Sequence, residues 1–415
     1  MIRQFPVEDY SPRKRGKPRR FRLRHVLLLL IIVGVSFFFM PDSKGGSETV
    51  SSKASVVSAG GPARADLTRA DLTTIDEDTI RRHNLTIRWD LQRFIAENAV
   101  KYKLYYGTMV VMDARTGAIL ALYGHDRGTQ VCTLCLDTNH AASVFKIVTA
   151  VAAMDQGGYT STSTFSYTGS AHTLYKHQLV NRHDRWTADI TLEDAFARSN
   201  NVVFGKLGTI YLGEDPIYLA AMKMGFWKSP LKEIDCEPST IYFPTDEYSL
   251  AELACGFNRQ TRISPVHAAQ MASVAVNNGS MVTPRIVRDS KVEKAAVMGE
   301  QAARGLASMM ERTIRCGTIS SEFRNMASDR VLRNITVGAK SGSIDGDEPP
   351  GRRNWFVGFA MDETSGDAIT IGCLLVLDAK YWIQADTLSR LVIRQYFSRQ
   401  LDMAQTTRAK PKAKG

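Results

Sequence analysis

Most of this chain has almost no net charge. Of the +11 carried by 415 residues, +7 sits in residues 1–24 and +3 in residues 401–415, so residues 25–400 carry only +1. A nucleic-acid-binding protein shows a basic face within its fold, so no nucleic-acid partner is expected; the basic tails suit acidic lipids instead. Cysteine is sparse, with six residues, and there is one C-x-x-C, Cys132 to Cys135. Such a pair can be a redox couple, half a metal site or a tight structural disulfide; no second pair completes a zinc cluster, which favours a structural bridge or two free thiols over metal, and no metal or cofactor is expected. Cys255, Cys316 and Cys373 stand in apolar contexts and read as core residues. Long apolar runs are also scarce, which excludes a polytopic membrane protein. With 44% hydrophobic and 23% charged residues, the composition excludes a disordered or collagen-like chain.

The single long apolar run, Val26 to Met40, follows nine Arg and Lys residues. Fifteen helical residues span roughly 22 Å, and Leu23 with snorkelling Arg22, Arg24 and His25 extends that reach. The basic arm predicts an N-terminus kept in the cytoplasm. No small-residue cleavage site follows the run, so it reads as an uncleaved signal-anchor with the rest of the chain outside the cytoplasmic membrane, in the periplasm or extracytoplasmic space. The expected organisation is a cytoplasmic arm (1–24), a transmembrane anchor (25–40), a linker (41–83), a catalytic domain (84–401) and a basic tail (402–415). A directly repeated Arg-Ala-Asp-Leu-Thr at 64–73 reads as linker or a short helical lead-in.

Periodicity then organises the domain. Leu91, Phe94, Ile95 and Ala99 share one face of a helix near 88–102. GTMVVMD (107–113) and AILALYG (118–124) flank a glycine turn and predict a hairpin buried on both faces. Residues 140–310 are mostly helical in pattern. Strand signals return at 334–339, 355–361 and 368–377, the last two joined by the loop 363–367. A closing helix over 381–401 offers Ile383, Leu388, Leu391, Val392 and Phe397 to the core. The expected fold is α/β (α+β): a five-stranded antiparallel sheet flanked by N- and C-terminal helices, plus a mainly helical lobe.

Three polar triplets are candidates for chemistry. Ser143-Val-Phe-Lys146 is an S-x-x-K, and two others exist, Ser11 to Lys14 and Ser229 to Lys232. Ser143 alone begins an apolar helix, anchored by Val144, Ile147, Val148 and Val151 and ended by Gly157-Gly158. Positions i and i+3 share a helix face, so a neutral Lys146 can take the Ser143 proton; a helix cap with a solvated lysine is the other reading of the motif alone. Ser199-Asn200-Asn201 is the one S-x-N, placed between apolar helical runs, where it could be a plain connection. Lys340-Ser341-Gly342 is the one K-[ST]-G, at the end of the strand NITVGA. There it offers a fixed cation and oxyanion-binding N–H groups, or a simple turn. His172, His177 and His183 lie in a polar stretch and read as surface histidines.

In this order, at a helix start, between helices and on a strand, the three triplets resemble the motif set of serine β-lactamases and penicillin-binding proteins, with S-D-N and K-T-G appearing here as SNN and KSG. Over about residues 84–400 the chain resembles the transpeptidase domain of penicillin-binding proteins. VVMDARTGAILAL, LEDAFARSNNVVFGKLG, ISPVHAAQMASVAVNNGSMVTP and NWFVGFA agree with it; Ala141-Ala142 in place of Pro-Gly before the nucleophile departs from it. The resemblance implies a membrane-anchored peptidoglycan D,D-transpeptidase that forms an acyl-serine with stem peptides ending in D-alanyl-D-alanine and is acylated by β-lactams. Ser143 would be the nucleophile, Lys146 its base, Ser199 a proton relay, Asn201 the holder of the acyl amide, and Lys340 a source of positive potential. Ser341 would bind the terminal carboxylate, Gly342 lies within that substrate strand, and the N–H groups of Ser143 and Ser343 would form the oxyanion hole. Lys146, on its apolar helix, is expected to lose its proton more readily than Lys340, placed beside the polar stretch 343–348. The 43 residues between anchor and domain leave no room for a glycosyltransferase domain, so a membrane glycosyltransferase is an expected partner. A penicillin-binding sensor or scaffold without turnover, a D,D-carboxypeptidase and a β-lactamase are the alternatives.

Overall fold

The structure is a computed structural model that describes residues 67–182 and 184–409. The basic arm, the apolar run, the linker up to residue 66, His183 and residues 410–415 lie outside the described residues. Among the described residues no helix is long and apolar enough to cross a membrane.

One antiparallel sheet organises the domain. Its strands are β1 (Tyr106–Asp113), β2 (Ile119–Asp126), β3 (Thr129–Gln130), β4 (Ile335–Asp347), β5 (Pro350–Asp362) and β6 (Ala368–Leu377). They lie in the order β4-β5-β6-β1-β2-β3, so the first hairpin joins the three late strands as its sequence predicts. The sheet has six strands rather than five because the two-residue β3 adds to β2 through His125 and Asp126.

Every residue of the central strand β6 is buried, which requires cover on both faces. On β5, Trp355, Val357 and Phe359 pack with the helical lobe, while Phe356 and Ala360 pack on the opposite side. That opposite side is closed by the helices α1 (Trp89–Lys101) and α8 (Ala385–Ala409), through Leu91, Ile95, Leu388, Val392 and Phe397.

The middle of the chain supplies α2 (Lys146–Asp155), α3 (Leu192–Ala197), α4 (Asn201–Lys206), α5 (Glu247–Cys255), α6 (Pro265–Val276) and α7 (Glu300–Cys316). These helices do not all form a separate lobe. α6 packs on β6 and β5, and α7 packs on β4. Ser264 caps α6 by accepting from His267 N–H, Pro265 opens it, and all twelve of its residues are buried. Gly372 of β6 permits the approach: a Cβ there would stand 2.2 Å from the Pro265 carbonyl.

The strand containing Lys340 is longer than its sequence suggests. β4 runs through the triplet to Asp347 and pairs residue by residue with β5, Gly342 opposite Trp355 and Asp347 opposite Pro350. Cross-strand pairing overrides the turn-forming composition of SGSIDGD.

Candidate active site

Ser143 sits on a 3₁₀ turn, Ala142–Phe145, that runs directly into α2. Three neighbours hold this turn. Ala141 N–H donates to the Thr261 carbonyl at 2.9 Å, and the Trp355 indole N–H on β5 donates to the His140 carbonyl at 2.9 Å. Gly256, which ends α5 in the left-handed conformation, lies against Ala142, where a Cβ would come within 2.0 Å of the carbonyl oxygen. Ala142 itself has φ +49°, a costly conformation for a residue with a side chain. The turn is therefore held in shape by its surroundings.

Lys146, on the first turn of α2, is fully buried. Its Nζ lies 2.9 Å from Ser143 Oγ, 2.8 Å from Asn201 Oδ1 and 2.6 Å from the Cys255 carbonyl. Burial draws its pKa down to about 8. The neutral amine has two N–H bonds and one lone pair. Asn201 Oδ1 and the Cys255 carbonyl can only accept, so they take the two N–H bonds. The lone pair is left for the hydroxyl proton of Ser143.

Asn201 opens α4 and Asn200 caps it, accepting from Val203 N–H at 3.0 Å. The Asn201 amide also donates to the His172 carbonyl at 2.9 Å, which ties the 171–172 segment to the site. Ser199 stands between α3 and α4 at φ +55°. Its Oγ accepts from Lys340 Nζ at 3.1 Å, and Lys340 also donates to the Ser341 carbonyl at 2.7 Å.

Lys340 differs from its sequence expectation. It lies inside a strand instead of at a polar loop, and it is as deeply buried as Lys146. Burial, and then the charge of Lys146, hold its pKa well below the usual lysine range. Both side-chain nitrogens lie near aromatic rings, Lys146 5.7 Å from the Phe204 centroid and Lys340 5.6 Å from that of Phe196.

The remaining predicted residues follow along β4. Gly342 faces the nucleophile turn, with its would-be Cβ 3.3 Å from Val144 N. Ser341 Oγ shares a 2.5 Å hydrogen bond with Thr318 Oγ1, from the loop that follows α7. Ser343 is exposed, and its Oγ accepts from Arg352 Nε across the hairpin. Every predicted site residue thus falls on the elements that converge on Ser143.

Sequence reasoning missed Thr318, Arg352, Trp355 and the Cys255 and Thr261 carbonyls. Backbone carbonyls carry no sequence signal; Gly256, a glycine just past an apolar helical run, is the one visible cue. Ser229 lies in a loop, donating to the Leu231 carbonyl. His172 and His177 lie in the segment between two short paired strands, 164–168 and 187–191.

The cysteines are thiols. Cys132 and Cys135 lie on one 3₁₀ turn but are not bridged: Cys135 Sγ contacts the Tyr123 carbonyl at 3.1 Å, and Cys132 Sγ lies 3.1 Å from Gln130 Nε2. Burial raises both pKa values, which keeps them protonated and unreactive. Cys255 and Cys373 are buried as expected, whereas Cys316 is exposed because it ends α7.

Comparison with known proteins agrees with this geometry. Residues 107–380 match the penicillin binding protein transpeptidase domain. Penicillin-binding protein PbpB of Mycolicibacterium smegmatis is 25% identical over 335 residues, which are 74% of this chain and 48% of that one. Peptidoglycan D,D-transpeptidase PbpA of the same organism is 22% identical over 251 residues, 57% of this chain and 50% of that one. The chain spans about half the length of these curated relatives. Among solved structures, PBPA from Mycobacterium tuberculosis superposes with a TM-score of 0.58 at 19% identity, covering 76% of this chain and 81% of that one. Penicillin binding protein 3 of the same organism, complexed with aztreonam, superposes with a TM-score of 0.59 at 17% identity, covering 76% and 79%. At these identities the structural likeness speaks for the fold.

Proposed function

Because the chain belongs to the penicillin-binding protein transpeptidase family, we propose that it is a peptidoglycan D,D-transpeptidase acting through an acyl-Ser143 intermediate. The observation that carries this reading is the set of contacts on Lys146. Two carbonyl acceptors occupy both N–H bonds of its neutral form and leave the lone pair to Ser143.

Ser143 Oγ attacks the carbonyl of the penultimate D-alanine while Lys146 Nζ takes its proton. The N–H groups of Ser143 and Ser343 receive the developing oxyanion. The C–N bond then breaks. Ser199, bridged to Lys340, relays the proton that Lys146 took to the departing amine of the terminal D-alanine, whose carboxylate is held by Ser341 and Lys340. Asn201 holds the acyl amide. In the second half an amine from another stem peptide attacks the ester carbonyl. The C–Oγ bond breaks, the amine proton returns to Ser143 Oγ, and a cross-link is made.

β-Lactams present a strained amide and a carboxylate to the same groups and would stop at the acyl-serine. We assign Val26 to Met40 as the membrane anchor, with glycan strands supplied by a separate membrane glycosyltransferase.

The test is labelled penicillin together with purified disaccharide-peptide dimers, read by mass spectrometry. A stable adduct on Ser143, lost in Ser143→Ala, with cross-linked product from the dimers is the expected result. Rapid release of the adduct would indicate a β-lactamase, water alone as acceptor a carboxypeptidase, and a stable adduct without turnover a sensor. An adduct that survives Ser143→Ala would overturn the mechanism.

A further inference from the structure

β4 is the edge strand of the sheet, and its free edge extends on the N-terminal side of the Lys340 triplet. There a crevice of about 480 Å³ opens between the start of β4, the last turns of α7 and the segment 320–333. Residues Ile335 to Val337 form one wall and Phe323 and Leu332 an apolar floor. Arg315, Arg324 and Arg333 line it, against one carboxylate, Glu311. All three arginines are exposed, and no carboxylate of the described residues lies within ion-pair distance of them. Neighbouring arginines with a structural role are paired: Arg312 with Asp194, Arg390 with Glu322 and Arg394 with Asp329. Burial raises the pKa of Glu311, with Arg315 opposing. Glu363, on the loop after β5, lies outside the lining and accepts from the Thr336 hydroxyl.

The crevice shares no lining residue with the active site but lies beside it along β4. Thr318, between Arg315 and Ser320 of its wall, is hydrogen-bonded to Ser341. Val337 and Ser341 are four residues apart on β4, about 13 Å along an extended strand. On the proposed mechanism the leaving terminal D-alanine lies on this Ser341 side, and the acyl portion lies toward Asn201 and Ser343. Aminolysis is the chemical reverse of acylation, so the incoming amine takes the place of the leaving amine and approaches from the same side.

We propose that this arginine-lined crevice holds the acceptor: a short acidic peptide that carries the attacking amine and more than one carboxylate. This rests on the transpeptidase reading and adds to it the place of the second substrate. The apolar floor suits alanyl methyl groups and the three cations suit the peptide carboxylates.

The test is direct binding of a fluorescent acidic stem tetrapeptide, measured by anisotropy on the full-length protein in detergent, before and after penicillin treatment. The wild type should bind in both states, more weakly as salt rises. A variant combining Arg315→Glu, Arg324→Glu and Arg333→Glu should lose about tenfold or more in affinity. A control combining Arg93→Glu, Lys101→Glu and Lys380→Glu, an equal charge change at exposed positions outside the crevice, should not. Equal affinity in the crevice variant and the wild type, or no binding in either, overturns the proposal, as does an equal loss in the control. Arginine-dependent binding to phosphatidylglycerol vesicles without binding to the peptide would assign the three residues to lipid and also overturn it. Penicillin labelling of Ser143 and product formation are read separately, so failure of the transpeptidase reading is distinguishable from failure of the acceptor site.

Discussion

At the scale of single residues, the two lysines divide the chemistry. Both are buried, and burial lowers both pKa values, but their partners differ. Lys146 has a serine hydroxyl and two carbonyl acceptors around its nitrogen, which fits a base; Lys340 bridges Ser199 and the Ser341 carbonyl. Lys146→Arg should lower acylation by about a thousandfold, because guanidinium does not deprotonate and the fork does not fit these three separate partners. Lys340→Arg should cost about tenfold, because it keeps a cation at this place but disturbs its geometry. In the wild type the neutral fraction of Lys146 grows as pH rises through about 8, so the acylation rate should climb up to that region and then level. Stopped-flow acylation rates of the three proteins across pH decide this. A dead Lys340→Arg beside an active Lys146→Arg would exchange the two roles. The triplets of this site are legible in the sequence because side-chain chemistry is written in residue type. The burial of Lys340 is not, since it depends on β5 pairing along a stretch that looks like a turn.

At the scale of elements, the nucleophile turn depends on a helix end from elsewhere in the chain. Gly256 closes α5 at φ +70° and leaves no room for a side chain beside Ala142. Gly256→Ala should destabilise the protein by ~2 kcal/mol or more, from the left-handed backbone and the displaced turn. It should also slow acylation, on the order of a hundredfold for a shift of about 1 Å in the nucleophile. Gly158→Ala is the comparison: its φ is +68° but its would-be Cβ meets nothing within 4 Å, so strain appears without a change in acylation. Denaturant midpoints and penicillin labelling rates of the two variants separate strain from displacement. Equal acylation in both would show that the turn does not rely on Gly256. The elements themselves are largely legible, because α1, the first hairpin and β6 have clear periods. The placement of α6 and α7 on the sheet is not. A helix apolar all round, such as α6, gives no direction to its neighbours, and a single apolar stripe, such as that of α7, does not name the surface it meets.

At the scale of the whole domain, the sheet is covered on both faces, and each face serves a different end. α1 and α8 close one side with apolar contacts, while on the other α6 and α7 pack on the strands, α7 also meets α2 and α3, and the nucleophile turn meets β4. The proposed anchor adds a constraint on where this domain works. The full chain should remain in the membrane fraction after carbonate extraction, and protease added outside the inner membrane should remove the penicillin-labelled domain. An N-terminus beginning near residues 45–65 in membrane fractions would instead show cleavage. The long strands are readable from their alternating and continuous apolar runs; β3 is not, since two residues carry no period.

The buried amine of Lys340 has a thermodynamic consequence for recognition. An anionic ligand placed beside it restores the charged form, so binding draws a proton from solution. Non-covalent binding of a β-lactam to Ser143→Ala should therefore take up protons once pH exceeds the lowered pKa of Lys340, and its affinity should fall as pH rises beyond that point. Calorimetry in buffers of differing ionisation enthalpy would read this uptake as a buffer-dependent heat, absent in a Ser143→Ala, Lys340→Met double variant.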